Sequence, residues 1–370
     1  MISVREALAF ILNHITVGAE TVIPTEKALG LVLAENVRAP NDIPPFTNSA
    51  MDGYAVRSAD TAGASGRRPA ILSLLETVPA GTVPKKRIGA GQATKIMTGA
   101  PLPRGADAVL IVEDSKEENG SVRCFAGVRR GENVRRAGED VRRGVCVLSK
   151  GGMLGAMGRS RVRVIRRPRV AILATGSELI GVERTPGPGQ VRNCNNLSLI
   201  GLVRKYGAEP VDMGLVRDNV RALKTRLIAA ASCDLVVTSG GVSVGEYDVV
   251  KTILSEIGTC VRFWQVRIKP GKPLAFAMLR GTPLLGLPGN PVSVIVSFEQ
   301  FVRPALLKMM GRSKLSKPVI TARCERRIEK RPDRVHLIRA RVWKREGRYH
   351  ASPLRAQGSG ILTSMVKADG

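Results

Sequence analysis

Residues 234–248 read DLVVTSGGVSVGEYD, and their reading decides the fold. An apolar run ends in the adjacent glycines Gly240 and Gly241, Gly245 follows, and the acids Glu246 and Asp248 close the stretch. Glycine suits backbone that must pass through positive φ or approach a ligand closely. A strand that runs through such a loop into the next helix belongs to a doubly wound α/β sheet, where ligands sit beyond the carboxyl ends of the strands. The loop points to an anionic ligand accompanied by a cation.

The same alternation extends outward in both directions. RVAILAT predicts a strand and NLSLIGLVRKYG a helix; VDMGLV predicts a strand and VRALKTRLIAAAS a helix. After DLVVTS come a helix over VVKTILSEIG, the strands VRFWQVRI, PLAFAML and PLLGLP, and a last helix over VSVIVSFEQFVRPALLKMM. The expected class is α/β multidomain, with a mostly parallel sheet. Upstream, short β-rich runs between 53 and about 140 are cut by Gly and Pro turns and predict a small β domain. GGMLGAMG (151–158) reads as a short helix, and the chain returns to short β runs after 314.

Candidate site residues fall at the strand ends. Glu178 follows Thr175-Gly176-Ser177, Asp218 follows the next strand, and Asp248 closes the opening loop. Each acid has a plainer reading, since Asp248 caps a helix well and Glu178 suits a first helical turn. Together they would form a compact Mg²⁺-plus-phosphate constellation. KPGKP (269–273) places Lys269 and Lys272 on a stiff turn, either as phosphate partners or as an ordinary surface turn. In LPGNPVS (287–293), Asn290 can N-cap the last helix with Pro291 at its first position, leaving N–H groups free toward the cleft. NSAMDGYAV (48–56) can form a type I or I′ turn at Asp52-Gly53, but Ser49-Ala50-Met51 has no turn logic. MTGAPLP (97–103) and RRAGED (135–140) are compact loops of the same kind.

Composition narrows the classes. The apolar share of 44% permits large cores, and 4% aromatics argues against base-stacking platforms. The six cysteines are scattered singly, as expected of reduced thiols in the cytoplasm. No segment approaches the ~20 apolar residues that span a bilayer, and no Gly-x-Gly-x-x-Gly or Walker lysine loop is present. The three histidines sit in no motif. The net charge of +27 owes much to 141–170, with nine Lys/Arg and no acid, and 311–350, with fourteen against four. A polyanion partner and Arg-rich solvated faces both account for this, and the lack of interleaved aromatics argues against nucleic acid.

NSAMDGYAV, MTGAPLP, RRAGED, ATGSEL, TSGGVSVGEYD, KPGKPLAF and LPGNPVS, in this order over essentially the whole chain, resemble the molybdopterin molybdenumtransferase family. These are the molybdenum-insertion enzymes of molybdenum cofactor biosynthesis, similar also to the E domain of gephyrin. The resemblance implies a discontinuous linking domain (1–45 and 141–168) and a β-rich inserted domain (46–140). It further implies an α/β molybdopterin-binding domain (169–313) and a small C-terminal β domain (314–370). It also implies a homodimer with a cleft shared between subunits, and contact with molybdopterin adenylyltransferase.

The implied reaction is cytoplasmic and Mg²⁺-dependent. It joins molybdate to adenylylated molybdopterin and releases AMP. Glu178, Asp218 and Asp248 would organise the metal, and Lys269 and Lys272 would hold molybdate or phosphates. Ser239, Gly240, Gly241 and Ser243 would cradle the pterin and pyrophosphate with Pro288, Gly289, Asn290 and Pro291. Asp52, Thr98, Arg135 and Asp140 would complete the cleft from the partner. The alternatives are an adenylyltransferase and a non-catalytic pterin-binding scaffold. Two departures stand out: Asn193 and Asn219 occupy positions where the family usually carries Asp, which is expected to weaken the cation site. The chain also stops at Ala368-Asp369-Gly370, where the family continues, so a shortened last domain is expected.

Overall fold

The strand Leu235–Ser239 lies in the interior of a six-stranded sheet. The computed structural model describes residues 1–150, 160–217, 219–241, 253, 261–330 and 332–369. The strand order is Glu209–Val216, Arg169–Thr175, Leu235–Ser239, Thr282–Leu287, Pro273–Leu279, Val261–Gln265. The first four are mutually parallel, and Pro273–Leu279 runs antiparallel to both neighbours. The expected α/β class with a mostly parallel sheet is therefore observed. The expected helix over 249–258 lies outside the described residues except for Ile253, which is helical and buried. The expected helix at 151–158 lies wholly outside them.

Period-two alternation splits each central strand between two cores. Val170 and Ile172 pack on one face with Leu199, Phe298, Phe301 and the N-terminal helix residues Ala7 and Ile11. Ala171 and Leu173 pack on the other with Leu223, Leu227 and Ile253. Each fully buried Leu, Ile or Phe is worth about 1.5–3 kcal/mol, so these two faces hold the strand ends in place.

Two features of this sheet position the site. Strand order reverses between Arg169–Thr175 and Leu235–Ser239, which opens a crevice at their carboxyl ends. Because Pro273–Leu279 is antiparallel, it begins at the rim where its parallel neighbours end. The lysine turn before it is thereby brought to the same rim.

The chain divides into two compact units, Met1–Glu35 with Lys150–Gly370, and Asn36–Ser149. In the first, Arg161–Ile165 pairs with Glu20–Pro24 and alternates exposed arginines with buried Val162 and Val164, as its sequence predicts. Toward its C-terminus, Arg323–Cys324, Arg348–Pro353 and Ala340–Arg345 make a three-stranded sheet.

The second unit is built on a mixed six-stranded sheet. Its order is Ala108–Ile111, Gly53–Val56, Gln92–Ile96, Ala70–Val78, Ser121–Cys124, Ser115–Glu118. Gly53 is required by close approach rather than by a turn, since a Cβ there would lie 2.0 Å from the Leu110 carbonyl oxygen. Cys124, Cys146, Cys194, Cys233 and Cys324 are free thiols. Among the described residues no helix is long and apolar enough to cross a membrane.

Candidate active site

At the crevice, the strand Arg169–Thr175 runs out into Gly176 at φ +152°, and the Glu178 carboxylate folds over it. A Cβ on Gly176 would come within 2.6 Å of Glu178 Oε2, so only glycine leaves that carboxylate its place. Across the crevice, Gly240 has φ +86° and donates its N–H to the Leu287 carbonyl at 3.1 Å. Thr175 Oγ1, Thr238 Oγ1 and Ser239 Oγ are buried at these strand ends without a protein hydrogen-bond partner among the described residues. Such atoms are costly to bury unless a ligand or solvent satisfies them.

The lysine turn is pinned from three sides. Val266 N–H donates to the Lys272 carbonyl at 2.8 Å, and Leu337 N–H to the Lys269 carbonyl at 2.9 Å. Gly271, at φ +102°, packs so closely that a Cβ would lie 2.8 Å from Ser297 Oγ. Ile268–Lys269 also pairs in parallel with Val335–His336. Lys272 is half-buried and Lys269 exposed.

These pieces enclose a cavity of about 930 Å³, large enough for a pterin or nucleotide-sized ligand. Among the predicted residues, its walls include Glu178, Gly240, Gly241, Lys269, Lys272, Pro288, Gly289 and Asn290. Ser239 is buried behind the wall, and Pro291 opens the helix beyond it. Asp218, Ser243 and Asp248 lie outside the described residues. Among the described residues, no three His, Cys, Asp or Glu side chains gather as a metal site; only Glu178 of the expected metal trio is described.

The C-terminal segment supplies walls that sequence reasoning did not assign: Lys330, Arg334, His336, Arg339, Gln357 and Ser359. Arg339 is 4% exposed and forms no ion pair among the described residues. Its guanidinium donates to Ser364 Oγ at 3.2 Å and the Gly358 carbonyl at 3.2 Å. Gln357 bonds the Arg339 N–H and carbonyl together, at 3.1 and 2.8 Å, which fixes the backbone that carries it. Burial lowers the Arg339 pKa, yet a guanidinium stays charged at any working pH. The only available signal was an arginine inside the apolar run VHLIRARV, within a stretch already noted for its charge.

The loop 287–291 departs from expectation in one respect. Asn290 occupies the N-cap position with Pro291 following, but its side chain makes no capping bond. Val292 N–H is taken by the Ser359 carbonyl at 3.1 Å. The helix start is therefore tied to the C-terminal segment instead of offering all its N–H groups to a ligand.

Asn193 and Asn219 both serve as helix N-caps, accepting from the N–H groups of Asn196 at 3.3 Å and Ala222 at 2.9 Å. Aspartate caps as well as asparagine, so the residues at these positions have a structural use that is independent of any cation.

In the other compact unit, Asp52 and Thr98 are brought together. Asp52 Oδ1 accepts from Thr98 Oγ1 at 2.6 Å and Thr98 N–H at 2.7 Å. Those two bonds, the hydroxyl first, hold the Asp52 carboxyl below its ordinary value. Ser49 explains the odd sequence ahead of it: its hydroxyl donates to the Met51 carbonyl and accepts from Met51 N–H, closing the loop locally. Arg135 pairs through its backbone with Asn48. Asp140 lies on a turn bonded to the Ile43 carbonyl.

A depressed carboxyl pKa adds stability above its unfolded value, and that stability is lost as pH falls through the folded one. Thr98→Val is expected to move the Asp52 titration part of the way back up, since Thr98 N–H still donates. A carboxyl-resolved NMR titration below about pH 4 checks this, and an unmoved Asp52 would refute the hydroxyl's role.

Family models match along the chain. "MoeA N-terminal region (domain I and II)" covers residues 2–160, "Probable molybdopterin binding domain" 171–308, and "MoeA C-terminal region (domain IV)" 321–370. The molybdopterin molybdenumtransferase of Nostoc sp. is 40% identical over 304 residues, 79% of this chain and 70% of that protein. That of Haemophilus influenzae is 35% identical over 382 residues, 100% of this chain and 93% of that protein. Two crystal structures of the molybdopterin biosynthesis moeA protein of Pyrococcus horikoshii superpose with TM-scores of 0.83 and 0.79. They are 34% and 33% identical, each match covering 100% of this chain and 93% of the other.

Proposed function

The chain belongs to the molybdopterin molybdenumtransferase family, and from that premise we propose how its cleft inserts molybdenum into molybdopterin. The observation that carries the proposal is the charge of one cavity wall. Lys269, Lys272, Lys330, Arg334 and the unpaired Arg339 face a cavity whose only carboxylate among the described residues is Glu178. Molybdate and a pyrophosphate are compact oxyanions, which such cations bind strongly where water is partly excluded.

In this reading the substrates are molybdate and adenylylated molybdopterin, and AMP leaves with the finished cofactor. Lys269, Lys272 and Arg339 hold the oxyanions. Gly240, Gly241 and Gly289 let backbone approach the pterin and pyrophosphate closely because they carry no side chain, and Ser239, Ser243, Pro288, Asn290 and Pro291 are assigned to the same cradle. The exposed Glu178 carboxylate and the buried Thr175 hydroxyl are hard oxygen donors, which fits a Mg²⁺ ion held with Asp218 and Asp248. That ion, when bound, would neutralise phosphate charge. Asp52, Thr98, Arg135 and Asp140 complete the cleft from a second copy in a cytoplasmic homodimer, which receives its substrate from molybdopterin adenylyltransferase. An adenylyltransferase reading leaves the matched N- and C-terminal regions without a use, and a non-catalytic scaffold leaves the acids and lysines of the cleft without one.

Molybdate-dependent AMP release from adenylylated molybdopterin tests the proposal. Wild type is expected to release AMP and Asp248→Asn to lose at least about 100-fold. Retention of the adenylylated pterin without AMP release by wild type would refute turnover.

A further inference from the structure

Asn195 and Asn196 stand side by side in the first turn of the helix Cys194–Lys205, each 6% exposed, and they tie that helix to different places. Asn196 Nδ2 donates to Asp212 Oδ1 at 3.0 Å and to the Gly214 carbonyl at 3.3 Å, on the edge strand. Asn195 Nδ2 donates to the Gly289 carbonyl at 2.8 Å, in the loop that walls the cleft. Gly289 in turn lies against Gly240, since a Cβ on it would sit 3.9 Å from the Gly240 Cα.

A peptide unit is planar, and in the trans form its C=O and the following N–H point in opposite directions. Holding the Gly289 carbonyl therefore fixes the direction of the Asn290 N–H, which is turned away from Asn195. Among the described residues that N–H donates to no protein group. Asn290 lines the cavity, while Asn195 does not.

We propose that Asn195 is a positioning residue for the reaction. Through the Gly289 carbonyl it orients the 288–290 backbone toward the bound substrate. The inference rests on the reading of this cleft as the adenylylated molybdopterin site. Packing the helix onto the sheet would be the purely structural alternative, and Asn196 supplies its control: same turn and same burial, with two side-chain donations in place of one, but anchored away from the cleft.

The test compares Asn195→Asp, Asn195→Ala and Asn196→Ala with wild type. Asn195→Asp keeps the side-chain shape and sets an acceptor oxygen against the Gly289 carbonyl in place of the donor, at a first-turn position where the helix dipole offsets part of the cost of the charge, so it breaks the same bond without opening the cavity that the alanine variant leaves. Melting temperature, Kd for adenylylated molybdopterin without molybdate, and KM and kcat for AMP release are measured. Both Asn195 variants are expected to raise Kd and KM about tenfold, with kcat nearly unchanged. Asn196→Ala should lower the melting temperature comparably to Asn195→Ala and leave Kd within about twofold. Binding by Asn195→Asp equal to wild type overturns the inference alone, as does an equal Kd shift in Asn196→Ala. A wild type that binds no adenylylated molybdopterin overturns the substrate reading and this inference with it.

Discussion

Arg339→Met is expected to weaken oxyanion binding by about 30-fold while lowering the melting temperature by only a few degrees. The first number follows from a charge-assisted hydrogen bond in a sheltered cleft, worth about 1.5–3 kcal/mol. The second follows from the absence of a countercharge. Arg339 has no carboxylate partner among the described residues, so removing it relieves a desolvation cost. The main losses are the bond to the Gly358 carbonyl and a longer one, 3.5 Å, to the Leu337 carbonyl; Ser364 Oγ keeps its bond to the Ile361 carbonyl at 2.6 Å.

Arg303 provides the contrast, because it is 6% exposed but sits 3.5 Å from Glu299. Arg303→Met leaves Glu299 with Lys317 and the Tyr206 hydroxyl, each at 2.8 Å, but strips the Leu315 carbonyl of its donor, and should cost about 1–3 kcal/mol of stability without changing oxyanion affinity. Calorimetric titration with molybdate and thermal melting of both variants checks the pair of statements. Arg339→Lys keeps the charge but not the planar fork, and should recover part of the affinity. If Arg339→Met loses stability in proportion to binding, the arginine is structural and the oxyanion reading of this wall fails.

Gly240→Ala is expected to damage both fold and function, at about 2–4 kcal/mol of stability. Two costs combine. An L-residue at φ +86° pays about 1–2 kcal/mol for the left-handed backbone. The new methyl would also lie 2.4 Å from the Thr175 carbonyl oxygen, which is backbone in a central strand and cannot give way cheaply. The loop must move instead, and it carries the wall opposite Glu178. Gly30→Ala separates the two costs, because Gly30 has φ +79° but nothing within 4 Å of the added carbon. It should lose about 1 kcal/mol and leave AMP release unchanged. A Gly240→Ala protein as stable as Gly30→Ala would show that the strand-end contact is not tight.

Much of the α/β sheet was legible because its signals are local. Alternating apolar runs, glycine at strand ends and the helix-length spacing over 194–205 and 220–230 all lie within windows of a few residues. The loops of Asp52 and Thr98 looked overbuilt for plain turns, but the two residues were named through the family resemblance, and the bond between them is a tertiary contact 46 residues apart in the chain. The asparagines at 193 and 219 were read only as missing charges, although each is a good cap ahead of a helical stretch, and that local signal was available. Asn290 shows the converse: its sequence predicts a cap with free N–H groups, and the tertiary contact from Ser359 takes one of them.

By itself, the sequence determined the element types, the glycine-lined strand ends and, through the order of its loops, the family. Only the tertiary structure decided which cations share the cleft. Lys269 and Lys272 reach the carboxyl rim because one strand of a mostly parallel sheet runs backward, and strand direction is set by pairing with distant segments. Arg339 reaches it because Val335–His336 pairs with Ile268–Lys269. Neither pairing leaves a periodic mark in the chain, since backbone hydrogen bonds between strands carry register and not residue identity.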